Sequence, residues 1–201
     1  MQGSDTERFL QGQLSNDMGQ VTSGHVVLSG YHNPQGRTIA VLRLLRTAPD
    51  EILAILPREL CAIVAARLAK FILRAKVTIK DVSEELRIDG FLAGTDAPPP
   101  ALAAATVVRI AAESGRWLCI QAADAAGPAS GDRHTWRRLD IAAGLPQVYG
   151  ATSEEFVAQM LNLDALGAIA FDKGCYTGQE VIARAHYRGR VKRRMQRFLT
   201  Q

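Results

Sequence analysis

The sequence predicts an α+β fold, and three observations carry that expectation. Strand-like and helix-like segments follow one another without regular βα alternation. No internal repeat, coiled-coil heptad or glycine-rich phosphate loop interrupts them. Of the 201 residues, 47% are hydrophobic, enough for one sizeable core or two small domains.

In chain order, TERFLQGQLSNDM places Phe9, Leu10 and Leu14 near helical spacing before Asn16, Asp17 and Gly19, which predicts a short helix running into a turn. HVVLSGYH and RTIAVLRLLR, joined by Asn33, Pro34, Gln35 and Gly36, predict a hairpin whose second strand is apolar on both faces except at its arginines. EILAIL is a third strand. Pro57 then opens a helix over PRELCAIVAARLAKFIL, with Leu60, Ile63, Val64, Leu68, Phe71 and Ile72 as one stripe against a sheet.

KVTIKDV and ELRIDGFLAG alternate as two further strands, and TDAPPP marks a boundary or long loop. VVRIAA and RWLCIQAA predict a second hairpin around Glu113, Ser114 and Gly115, followed by AADAAGPASGD as a small-residue connector or weak helix. Thr152 and Glu155 have capping-box spacing before Phe156, Val157, Met160 and Leu161, and an extended loop with buried anchors would use the same residues. Thr177 and Glu180 repeat that spacing before Val181, Ile182 and Ala185, predicting a short helix with Cys175 just ahead of it.

No apolar run is long enough to cross a bilayer and MQGSDTERF has no secretory character, so an interior compartment is expected, cytoplasmic in a bacterium. The net charge of +4 is local in origin. Arg184, Arg188, Arg190, Lys192, Arg193, Arg194 and Arg197 have no acid among them, and the remaining 17 basic residues are outnumbered by 20 acidic ones, a net −3. A polyanion could meet the chain there, either RNA, with Tyr187 and Phe198 interleaved, or the polyglutamate tail of a folate.

Three cysteines without a CxxC pair argue against a disulfide framework or a self-contained zinc or cluster site. Cys61 and Cys119 read as small buried hydrophobes. For Cys175 two readings stand. A helix start, the ammonium of Lys173 and the open amides around Gly174 and Gly178 would favour a reactive thiolate; equally, the glycines would serve a tight turn and Cys175 fill a small pocket.

The stretch FDKGCYTGQEVIARAHYRGRVKRR resembles the signature of the YgfZ family of folate-binding proteins, relatives of the glycine cleavage T-protein. FLQGQLSNDM, GYHNPQGR, LPRELCAIVAARLAKFILRAKVTIKDV, WRRLDIAAGLPQVYG and the set Gln159, Asn162 and Leu163 fall in the family's order, so the likeness covers nearly the whole chain. It implies an aminomethyltransferase-like α+β fold of ferredoxin-like and related subdomains around a central hole that takes tetrahydrofolate or a related reduced folate, with no metal. Residues 1–94 and 95–190 would be the two subdomains, and residues 191–201 the start of a largely absent C-terminal β-barrel. The implied role is accessory: support of iron–sulfur proteins such as radical tRNA-thiolating enzymes, in the bacterial cytoplasm or, in a eukaryote, the mitochondrial matrix. Direct contact with tRNA is a minor expectation.

By resemblance, Trp136 is a folate-contacting indole, suited to stacking on a pterin. Cys175 carries reactive or cluster-related chemistry and Lys173 activates it. Tyr176, Gly178, Gln179, Glu180 and Arg184 complete the binding signature, with Gln179 or Glu180 at the folate's polar edge or capping a helix. The chain departs from the family at Asp172, where a second basic residue is common, and at Ala158, where proline is common. It also lacks the family's upstream strand with a second tryptophan, so a piece of a longer protein is expected, with MQRFLT as an unpartnered strand. A folate-dependent aminomethyl transferase is the competing enzyme reading, for which Asp140, Asp172 and Glu180 are the available acids.

Overall fold

The computed structural model describes residues 1–93, 106–110, 115–125, 131–189 and 191–198. Phe9 and Leu10 seat a short helix α1 (Thr6–Gln11) on the core. The first hairpin joins β1 (His25–His32) to β2 (Thr38–Ala48), antiparallel, and β3 (Glu51–Ile55) pairs with β2. At its turn the Asn33 side chain accepts from the amides of Gln35 and Arg37, each at 3.0 Å, and Gly36 takes a φ of +71°.

Helix α2 (Arg58–Ala69) starts at Pro57 as expected, but its buried stripe is only Leu60, Val64 and Leu68. Ile63 and Phe71 are 46% and 49% exposed, a correction to the six-residue stripe. The reason is geometric: the i, i+4 row of buried residues leaves Ile63 on its flank, and the helix stops before Phe71. KVTIKDV is not a strand either. Its Thr78 makes one bridge, exchanging backbone hydrogen bonds with Gln2 at 2.8 and 2.9 Å, because that partner segment is only a few residues long.

The second hairpin is β5 (Thr106–Ile110) with β6 (Arg116–Ala122), and β4 (Leu86–Leu92) pairs antiparallel along β6. The TDAPPP loop and the turn residues Glu113 and Ser114 lie outside the described residues, as does part of the AADAAGPASGD connector. One six-stranded sheet results, in the order β3-β2-β1-β5-β6-β4. Its two antiparallel halves meet in a two-residue parallel seam, His25 beside Arg109 and Val26 beside Ile110. The β4–β6 pairing crosses the boundary expected at residues 94 and 95.

Helix α3 (Arg133–Ala142), which the sequence pattern did not predict, begins where the Asp132 carboxylate accepts from the amides of His134 and Thr135. The region of Thr152 and Glu155 forms neither the α-helix that the spacing suggested nor an extended loop with Phe156 as a buried anchor, but two short 3-10 turns, Gly150–Thr152 and Ala158–Leu161, with Phe156 exposed. Helix α4 (Gln179–Tyr187) follows the signature loop. Residues 191–198 form no strand, and the end of MQRFLT lies outside the described residues. Two apolar clusters fill the interior: one gathers α1, α2, β1, β2 and Ile182 of α4, the other lies between β5, β6 and Leu145 after α3. Among the described residues no helix is long and apolar enough to cross a membrane.

Candidate functional site

The signature loop is held by groups more than 150 positions away in sequence. Ser15 donates its hydroxyl proton to the Ala168 carbonyl at 2.7 Å, and the Asn16 side-chain amide donates to Gly167 and Leu28. Lys173 then donates to the carbonyls of Gln11, Leu14 and Asn16 at 2.7, 2.7 and 2.8 Å. An ammonium has three protons, so each has a carbonyl partner. Burial pulls this lysine down to about 8, while Asp17 works in the opposite direction.

Beside it, Tyr176 is buried with its ring centroid 5.2 Å from the ammonium, and burial pushes the phenol up to about 12. Gln179 accepts from the Tyr176 amide and donates its own amide to the Tyr176 carbonyl, closing the turn. The helix cap is Gly178, at a φ of +83°, with no side-chain cap. That corrects the Thr177–Glu180 capping box. A Cβ at Gly178 would lie 2.5 Å from the Asn33 carbonyl oxygen, because the loop packs directly on the β1–β2 turn. Glu180 instead pairs with Arg184 at 3.2 Å, both side chains exposed.

Cys175 is exposed and lies just ahead of the helix, with Tyr176 and Thr177 between it and the Gly178 cap, one residue further from the cap than Thr177 would have placed it. It stands with Gly174 on a shallow cleft of about 530 Å³ whose wall includes Glu7, Asp17 and Asp50 alongside Arg8. The surroundings carry more acidic than basic groups, and the Lys173 charge is held by backbone carbonyls. Cys61 is half-buried and Cys119 buried, and burial raises both thiols, as fits structural roles. Among the described residues no cluster of three or more His, Cys, Asp or Glu side chains is placed to hold a metal.

Trp136 belongs to a different place. It packs on the second apolar cluster, whereas Tyr176 and Ile182 pack in the first. Its ring lies 4.2 Å from the Arg116 guanidinium and against Gly90, where a Cβ would come within 2.4 Å of the indole. Arg116 is tied to Asp140 at 2.6 Å, and Arg43 reaches the same carboxylate at 3.6 Å and Gln147 at 3.1 Å. Burial lowers Arg43, with Asp140 opposing that shift. Arg43, one of the arginines interrupting the second strand, was the sequence signal for this cluster, but its partner Asp140 lies about a hundred residues further along the chain.

A larger cavity, about 600 Å³, opens where the curled sheet brings β3 towards β4 and β6. Leu53, Ile55, Leu86, Ile88 and Ile120 give it apolar walls, with Thr78, Ser83 and Gln121 as polar points. Strand alternation puts Gly90 on the same face of β4 as Leu86 and Ile88, so Trp136 lies on the cavity's face of the sheet, one row beyond its lining.

A curled mixed sheet around an apolar cavity of this size defines an α+β protein with a small-molecule-sized site. No family model matches the chain. Curated relatives do: a tRNA-modifying protein YgfZ of Escherichia coli is 34% identical over 95% of this chain and 65% of its own length, and one of Klebsiella pneumoniae is 32% identical over the same shares. An uncharacterized protein of Haemophilus influenzae is 32% identical over the whole chain and 70% of its own length. The chain belongs to the YgfZ family, and it spans about two thirds of the length of these relatives.

Proposed function

We propose that this chain is a folate-binding accessory protein that supports tRNA modification, acting through assembly or repair of iron–sulfur proteins in the bacterial cytoplasm. The observation that carries the reading is family membership: relatives matched over 95% of the chain are named tRNA-modifying protein YgfZ. The activity and partners of the whole protein belong to this proposal, as does the aminomethyltransferase-like form of the fold.

The residues present fit a reduced folate. A pterin joined to an aminobenzoyl group needs a long apolar slot with a few polar points, and a cavity of about 600 Å³ falls within the range of roughly 300–1,000 Å³ usual for such ligands. Trp136, fixed between Gly90 and Arg116, would offer an indole edge to a ligand extending past Ile88. Cys175, exposed on the other cleft, is the group available to a protein partner that carries a cluster.

Calorimetric titration of the chain with tetrahydrofolate tests this, because Trp136→Ala removes the fluorescent reporter as well as the contact. Saturable binding is expected, weakened by about tenfold or more in Trp136→Ala and retained in Trp136→Phe. Absence of binding to the native chain, or equal affinity in Trp136→Ala, would remove the folate reading.

A further inference from the structure

The C-terminal end of α4 carries a surface that lies outside the lining of the apolar cavity. Phe171 packs one side on the first apolar cluster and stacks His186 on the other, with ring centroids 3.8 Å apart and planes 17° from parallel. Tyr187 stands edge-on to both rings, at 6.0 Å from Phe171 and 4.8 Å from His186. Tyr187 is 68% exposed and His186 is exposed as well, so a three-ring platform anchored in the core presents open aromatic surface to solvent.

Cations follow the platform closely in the chain. Arg188 is the next residue and exposed; Lys192 and Arg193, also exposed, follow Tyr187 by five and six positions, a span of at most about 21 Å of extended chain. None of the three has a carboxylate partner among the described residues. The chain beyond them is pinned: Arg194 pairs with Asp164 at 2.7 Å, and Met195 exchanges hydrogen bonds with Met160 and Asn162. Lys192 and Arg193 are therefore held between the end of α4 and a fixed anchor.

We infer that this platform is a contact site for single-stranded RNA, with bases stacking on His186 and Tyr187 and backbone phosphates meeting Arg188, Lys192 and Arg193. A protein partner of acidic character would use the charges but has no need of the stacked rings. Exposed rings set in uncompensated positive charge match an unpaired nucleotide, which has both a π-face and an anion. The inference goes beyond the function proposed above and does not depend on the folate site.

Fluorescence anisotropy of the full chain tests it, with a labelled RNA hairpin that has a single-stranded loop, a fully paired RNA duplex and polyglutamate as probes. The hairpin should bind most tightly. Replacing both rings, His186→Ala with Tyr187→Ala, should weaken hairpin binding by about tenfold or more with little effect on the duplex, while Tyr187→Phe keeps it. Arg188→Gln with Lys192→Gln and Arg193→Gln should weaken both RNAs and reduce the slope of log affinity against log salt by about 0.7 for each lost phosphate contact on the single strand. Circular dichroism of each variant separates lost contact from lost fold, and the folate titration separates this site from the cavity. Equal affinity for polyglutamate and hairpin, or undiminished hairpin binding by the folded double-alanine variant, would overturn the inference.

Discussion

His32 is the most deeply buried titratable side chain in contact with the signature. The residue is 1% exposed, its ring centroid 6.4 Å from that of Tyr176, with Nδ1 at 3.3 Å from the Thr38 hydroxyl and no hydrogen-bond partner at Nε2 among the described residues. Burial holds it down to about 3, from an ordinary value of 6.5. Between those values the unfolded chain binds a proton that the folded chain refuses, so stability falls as the pH drops below 6.5 and the loss is complete only near 3. The slope from this one group approaches 1.4 kcal/mol per pH unit. His32→Gln should therefore flatten the fall in urea midpoint between pH 6.5 and about 4 by close to one proton's worth. An unchanged slope would show that His32 takes up its proton in the folded state.

At the level of elements, Gly178 is where two separately readable motifs meet. Its φ of +83°, and the 2.5 Å that would separate an added Cβ from the Asn33 carbonyl oxygen, leave no room for a side chain between the α4 cap and the β1–β2 turn. Gly178→Ala should destabilise by about 2 kcal/mol or more, seen as a lower urea midpoint, whereas Gly174→Ala, with open space around its Cβ position, should change little. The hairpins, α2 and α4 were legible because alternation and turn chemistry act locally. KVTIKDV misled because its alternation buries Val77 and Ile79 partly against the core without a full partner strand. Helix α3 was hidden because none of its residues is fully buried, although Asp132 before Thr135 and Trp136 was a readable cap. The signature residues were identifiable by position, but their contacts were not: Lys173 reads as the cation that activates Cys175 until Gln11, Leu14 and Asn16 are seen around it.

For the molecule as a whole, those contacts make the signature a clasp between the two ends of the described chain. Lys173 to residues 11–16, Ser15 to Ala168 and Asn16 to Gly167, with the Ala170 amide donating to the Ser15 carbonyl, join segments that lie far apart in the sequence. Lys173→Met keeps the aliphatic stem and removes the three donors, leaving partly buried carbonyls unsatisfied, and a cost of about 2–4 kcal/mol is expected. Arg184→Ala removes an exposed i, i+4 partner of Glu180 and should cost no more than about 0.5 kcal/mol, which makes it the control for loss of one positive charge. Because the clasp is local in space, amide hydrogen exchange in Lys173→Met should accelerate first in residues 11–16 and 167–176 while β1 and β2 stay protected. If instead both variants melt together with native-like exchange at residues 11–16, the three carbonyl bonds contribute nothing to stability. Lys173 would then be present for the chemistry of Cys175 rather than for the fold.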